Sequence, residues 1–166
     1  MDLIPNGSLL PFTDRFVCIH PSPGPLLMPD PVSDLNVLYN VPLPAPALLM
    51  HEHPRSDEQA ATVFAARRRI EDILHRRSDR FLVIVGPCSI HDPVQGVAYA
   101  EKLMALREEL RDRLEIVMRV YFEKPRTAVG WKGLIMDPDL DGTANLSEGL
   151  RIARNLLLEI VGLGLP

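Results

Sequence analysis

Residues 81–121 most constrain what this chain can fold into. FLVIV at 81–85 is a short, continuous apolar run, the pattern of a strand buried on both faces. GPCSIHD at 86–92 follows as a loop, with Asp92 placed to cap a helix and Pro93 at its first position. Val97, Ala100, Leu103, Met104 and Leu110 then recur at helical spacing to about Arg111. Residues 115–121 return to an apolar, β-prone pattern. A strand, a long crossover helix and a second strand make a parallel pair.

The flanking segments extend the alternation. Ser56 and Gln59 form a capping-box pattern, and Val63, Ala66, Ile70, Ile73 and Leu74 predict a helix over 57–75. Its Arg67, Arg68, Arg69, with Arg76 and Arg77, reads as a solvated basic face rather than an anion site. Residues 124–146 form a long polar loop containing Gly130, Gly133 and Gly142, and such loops are usually functional or disordered. Ser147 is placed to cap a third helix whose buried stripe is Leu150, Ala153, Leu156, Leu157, Ile160 and Val161. Gly162 and Gly164 end it, and Leu165 and Pro166 look like the approach to a third strand. Two strands and the threshold of a third do not close a sheet. Topology therefore predicts the first part of a larger α/β fold.

The N-terminal third is different. Residues 1–54 hold 11 of the 16 prolines, which rules out long helices and central strands there. We expect 1–33 to be irregular or disordered and 34–56 to form an arm. Within it, 34–41 suits an edge strand, and Pro42, Pro44 and Pro46 an extended segment ending at Leu48, Leu49 and Met50. Such an apolar arm docks on its own core or on a neighbouring subunit. Met28 offers an alternative start. Net charge is -4, so non-specific nucleic-acid binding is not expected, and the local basic groups suit a small anion. Cys18 and Cys88 are too few and too far apart for a disulfide framework, which favours a reducing cytoplasm. No apolar run approaches the roughly 18 residues of a membrane helix, and Asp2, Pro5 and Gly7 make a poor signal peptide.

Chemistry-bearing residues gather at the ends of the two predicted strands. Cys88 is a structural thiol, a nucleophile or a metal ligand; a lone cysteine is most often the first. His91 stands three residues on, but no second Cys/His pair follows to complete a zinc pattern. Arg119 falls inside the predicted second strand, where a buried guanidinium needs either an anionic ligand or a core carboxylate. By alternation it shares a strand face with Val117 and Tyr121. Lys124, Arg126 and Thr127 flank Pro125 and offer a point charge, a planar fork and a hydroxyl to a phosphate or carboxylate, or else form a solvated basic loop. Only three lysines occur, and Lys124 and Lys132 are two of them. Trp131 reads as a pin for the loop. Asp137, Asp139 and Asp141 read as turn residues rather than calcium ligands.

GPCSIHDP at 86–93, MRVYFEKPRT at 118–127, GWKGL at 130–134 and GLRIAR at 149–154 closely resemble the microbial type (class I) of 3-deoxy-D-arabino-heptulosonate 7-phosphate synthase, a phospho-2-dehydro-3-deoxyheptonate aldolase. The resemblance runs over about 34–166. It implies a fold class of α/β, the N-terminal part of a (β/α)8 TIM barrel with a Pro-rich N-terminal extension, and makes 57–166 the first βα units of that barrel. It implies condensation of phosphoenolpyruvate with erythrose 4-phosphate, the first step of the shikimate pathway and aromatic amino acid biosynthesis. Residue by residue, it makes Cys88 a ligand of a divalent metal ion (Mn, Fe, Co or Zn type), the metal acting as Lewis acid on the aldehyde. It gives Arg119 and Lys124 to phosphoenolpyruvate, with Lys124 catalytic beside the aldehyde, gives Arg126 and Thr127 to the erythrose phosphate, and counts Pro125 among the substrate-binding residues. The family's other metal ligands come from later in the barrel, so the chain alone is expected to be inactive. The resemblance also implies a homo-oligomer when full length and feedback by an aromatic amino acid. Met136 departs from the family's usual Asn. Two other readings stand beside this one: a non-catalytic module pairing with a full-length synthase, and a related synthase using arabinose 5-phosphate to make 3-deoxy-octulosonate 8-phosphate.

Overall fold

The computed structural model describes residues 40–124 and 130–166, together with Leu35. Its elements all fall in one compact unit, Val41–Pro166. They are α1 Pro46–Glu52, α2 Asp57–Leu74, β1 Phe81–Val85, α3 Pro93–Glu109, β2 Leu114–Met118 and α4 Leu146–Gly162. The extension before residue 34, most of the expected edge strand, and Pro125, Arg126 and Thr127 lie outside the described residues.

The expected parallel pair forms, with Phe81 opposite Leu114 and Val85 opposite Met118. Helix α3 makes the crossover. Its start follows the expected chemistry: Asp92 accepts from the Val94 and Gln95 amides, and Pro93 takes the first turn. Met118 donates its N–H to the Pro166 carbonyl at 2.8 Å. The segment after α4 therefore lies along the second edge of β2, as the approach to a third strand should. The described residues form this small sheet with helices, not a closed barrel.

The core is built from the apolar stripes. Ala100 and Leu103 of α3, Ile116 and Met118 of β2, and Ala153, Leu156 and Ile160 of α4 are buried together with Ile90, Phe122, Leu134 and Leu165. Burying such a side chain contributes roughly 1.5–3 kcal/mol. Helix α2 contributes Ala66 but leaves Leu74 exposed. Its capping box is present as expected, and the side chain of Gln59 also reaches the Leu158 carbonyl of α4 at 2.7 Å.

Several expectations need correcting. β1 is not buried on both faces: Phe81 and Ile84 are 73% and 64% exposed, because no described element is packed over these two side chains. β2 ends at Met118 rather than at residue 121, since the following backbone turns to pair elsewhere: Glu123 bridges Gly133 in antiparallel sense. The arm is not extended to Met50 but turns into α1 at Pro46. Proline forbids helix interiors, not the first turn, and Ala, Leu, Leu, Met follow it as good helix formers. Asn145, not Ser147, caps α4 by accepting from the Glu148 amide. The end of the arm is tied to α4 by polar contacts, Glu52 pairing with Arg151 at 3.0 Å and the His53 carbonyl accepting from Arg154, while the apolar Leu43, Leu48 and Met50 stay exposed rather than docked.

Glu115 was not foreseen. It is 1% exposed and sits among three guanidinium groups. Arg69 of α2 donates Nε to both its oxygens at 2.8 and 2.9 Å, Arg80 reaches it at 3.0 Å, and Arg107 of α3 at 3.3 Å. Arg69 is therefore not part of a solvated face. Arg67, Arg68, Arg76 and Arg77 are exposed, as expected of the run.

Candidate functional site

A single short backbone passage assembles the site. The Arg119 amide donates to the Val85 carbonyl at 2.9 Å, carrying the parallel ladder one step past both strands. The Ile90 amide then donates to the Tyr121 carbonyl at 2.8 Å. The loop after β1 is thus laid against the segment after β2, at the C-terminal ends of both strands. Gly86 is required at this crossing: a Cβ there would lie 2.0 Å from the Arg119 carbonyl oxygen.

Three side chains meet on this rim. Arg119 donates to the carbonyls of Pro87 at 2.7 Å and Cys88 at 3.2 Å. Its guanidinium also lies over the Tyr121 ring, 4.4 Å from the centroid. The Lys124 ammonium donates to the Cys88 sulfur at 3.1 Å. Cys88 is exposed, so it is not the inert core thiol that a lone cysteine most often is. Its thiol is held below the usual cysteine range, first by the Lys124 hydrogen bond and charge and then by the Arg119 charge, against some desolvation.

Arg119 itself is exposed and lies beyond the strand, not buried within it. The dilemma of a buried guanidinium therefore does not arise. Two cations and a thiol of lowered pKa stand at one open rim, and their described partners are carbonyls, an aromatic ring and sulfur. No carboxylate among them cancels the charge. Such a rim suits a small anion carrying phosphate or carboxylate.

The polar loop returns to the same place. The Lys124 amide donates to the Lys132 carbonyl, and the Leu134 amide to the Phe122 carbonyl, both at 2.8 Å. Gly133, at φ 125°, permits this: a Cβ there would meet the Phe122 carbonyl oxygen at 2.1 Å. Trp131 pins the loop by donating Nε1 to the Asp137 carbonyl at 2.7 Å. Asp137 and Asp141 accept from the amides of Gly142 and Thr143, which is turn chemistry, as expected.

The described residues do not make a metal site by themselves. No group of three His, Cys, Asp or Glu side chains among them could hold an ion, and Cys88 supplies one sulfur donor. His91 is exposed beside it in sequence. No helix among the described residues is long and apolar enough to cross a membrane. A hollow of about 690 Å3 lies at the opposite ends of the strands, lined by residues 78–81 and 111–114, where Arg80 is already committed to Glu115.

Comparison with known proteins places the chain in a family. The profile described as the DAHP synthetase I family matches residues 54–165. The chain is 56% identical over 133 residues to the Phe-sensitive phospho-2-dehydro-3-deoxyheptonate aldolase of Escherichia coli K12, an alignment covering 80% of this chain and 38% of that protein. It is 50% identical over 145 residues to the phospho-2-dehydro-3-deoxyheptonate aldolase of Amycolatopsis methanolica, covering 87% of this chain and 71% of that one. The solved structure of the phospho-2-dehydro-3-deoxyheptonate aldolase of Francisella tularensis SCHU S4 superposes with a TM-score of 0.75 at 45% identity, covering 79% of this chain and 38% of that one. The chain thus spans about 38% of the Escherichia coli relative's length.

Proposed function

This chain belongs to the DAHP synthetase I family, and from that premise we propose that it carries the first half of a site condensing phosphoenolpyruvate with erythrose 4-phosphate. The product would be 3-deoxy-D-arabino-heptulosonate 7-phosphate, the starting compound of aromatic amino acid biosynthesis. The observation that carries the assignment is the rim where Arg119 and Lys124 stand together over Cys88, held by neutral carbonyls, a ring and a sulfur. Arg119 and Lys124 bind phosphoenolpyruvate there, and Lys124 lies next to the aldehyde. Arg126 and Thr127, which follow Pro125 in sequence, hold the erythrose phosphate.

In the reaction, C3 of the enol phosphate forms a carbon–carbon bond to the aldehyde carbon, whose oxygen takes up a proton. Water adds at C2, and inorganic phosphate leaves. The work of Arg119 and Lys124 is to fix one anion beside another despite their mutual repulsion, which is positioning and electrostatic stabilisation. A divalent metal, when bound, supplies Lewis-acid polarisation of the aldehyde; Cys88 is the donor these residues offer to it. Catalytic zinc sites typically have three protein ligands, so turnover by this chain alone is not expected. The setting is a cytoplasm that keeps Cys88 reduced. The fold completing the site is a (β/α)8 barrel in a homo-oligomer, with an aromatic amino acid as feedback effector, in keeping with the Phe-sensitive relative.

The test is binding followed by turnover. Titration of the isotope-labelled chain with phosphoenolpyruvate should shift the resonances of residues 86–90 and 119–124, and Lys124→Gln should weaken binding at least tenfold. Equal binding by Lys124→Gln sinks the assignment. An assay with manganese and both substrates should show no turnover by the chain alone; a normal rate would remove the donor-count argument.

A further inference from the structure

We infer that Tyr121 is a positioning residue for anion binding, acting through Arg119. The inference rests on the proposed phosphoenolpyruvate site and adds a residue to it. An arginine that must attract an anion has to be held still without being neutralised. A carboxylate partner would fix the side chain but cancel most of its field. The alternative is neutral partners with negative faces: carbonyl oxygens on one side and an aromatic ring on another.

Arg119 has this arrangement. Its Nη1 donates to the carbonyls of Pro87 and Cys88, which lie across the strand crossing, while its guanidinium carbon rests 4.4 Å from the centre of the Tyr121 ring. Arg119 stays exposed and Tyr121 half-buried, so the ring forms a floor and the cation faces outward. The backbone that carries the ring is itself fixed, because the Tyr121 carbonyl accepts from the Ile90 amide. One residue thereby ties the Cys88 loop by its backbone and the anion-binding cation by its side chain. Without the floor, the guanidinium keeps its two carbonyls but gains rotamers, and that freedom must be lost again when the anion binds.

The test is phosphoenolpyruvate affinity by side-chain NMR titration of the full 166-residue chain. Tyr121→Leu should weaken affinity about two- to fivefold, the size expected for an exposed cation–π contact, and Tyr121→Phe, which keeps the ring, should restore the original value. In an Arg119→Lys background the Tyr121→Leu effect should disappear, because the planar cation that stacks is gone. If Tyr121→Leu unfolds the chain, 3,5-difluorotyrosine at 121 keeps the shape while weakening the ring's negative face, and should reduce affinity in the same direction. Unchanged affinity in the leucine and fluorinated variants overturns the inference. So does a Tyr121→Leu effect of equal size with Lys at 119. No phosphoenolpyruvate binding by the unaltered chain overturns the proposed site itself, and this inference with it.

Discussion

The two ends of this small sheet both gather arginines and use them in opposite ways. At the N-terminal end, Arg69, Arg80 and Arg107 converge on Glu115, which is 1% exposed. There the cations satisfy one buried carboxylate and join α2, α3 and both strands. At the C-terminal end, Arg119 is held by two carbonyls and a ring, and Lys124 by a sulfur. There no carboxylate among the described residues pairs with either cation. Residue type does not separate structural from functional arginines in this fold; the charge of the partner does.

The sharpest way to break the comparison is Glu115→Ala. It leaves three guanidinium groups around a vacated carboxylate, and removing one partner of a buried ion cluster costs roughly 3–5 kcal/mol. Urea unfolding should show that loss in the midpoint at unchanged slope. A loss under about 1 kcal/mol would mean that water already screens the cluster, and the contrast between the two ends would fail.

Next is Gly86→Ala. The added Cβ would lie 2.0 Å from the Arg119 carbonyl oxygen, so the strand crossing must open. The cost should be about 1–3 kcal/mol, the range for forcing extra bulk into a packed site, and should be accompanied by loss of phosphoenolpyruvate binding. Unfolding and anion titration together check it. Retained binding would show that the rim does not depend on this crossing.

These two positions also show what the sequence made legible. The parallel pair, the crossover helix and its Asp92 and Pro93 start are local patterns, and each is read within a few residues. The rim was legible for the same reason: parallel strands deliver whatever follows them to one end, so Cys88, Arg119 and Lys124 had to meet. Arg119 and Tyr121 sharing a face followed from alternation, but the stack between them depends on where the guanidinium is pulled, which the Pro87 and Cys88 carbonyls decide. The Glu115 cluster was illegible. Arg69 sits in a run of arginines whose neighbours are solvated, and only the packing of α2 against the sheet singles it out. Residues 81–85 misled in the other direction: an apolar run reports what a strand can bury, not what is placed against it.

A smaller effect concerns the thiol. Lys124 stabilises the thiolate of Cys88, so the thiol gives up its proton below the ordinary cysteine range. Alkylation follows the thiolate and should therefore rise with pH around a midpoint below that of an ordinary cysteine. In Lys124→Met the hydrogen bond and the nearer charge are gone, and the midpoint should move up while the weaker influence of Arg119 remains. At pH 7 the unaltered chain should then label faster than the variant. Cys18→Ser in both proteins isolates Cys88. Identical pH profiles would mean that the ammonium does not face the sulfur in solution.

The smallest expected effect completes the scale. Arg77 pairs with Asp72 at 2.8 Å, as short as the shortest contact of the Glu115 cluster, and with Glu71 at 3.6 Å. All three side chains are largely exposed, however, and water and salt screen the attraction that burial would preserve. Arg77→Gln should leave the urea midpoint within measurement error, and raising the salt concentration should not separate the variant from the unaltered chain. Should Arg77→Gln instead approach the loss produced by Glu115→Ala, burial would not be what gives the N-terminal cluster its strength. The contrast between the two rims would then have to rest on the number of partners rather than on their access to water.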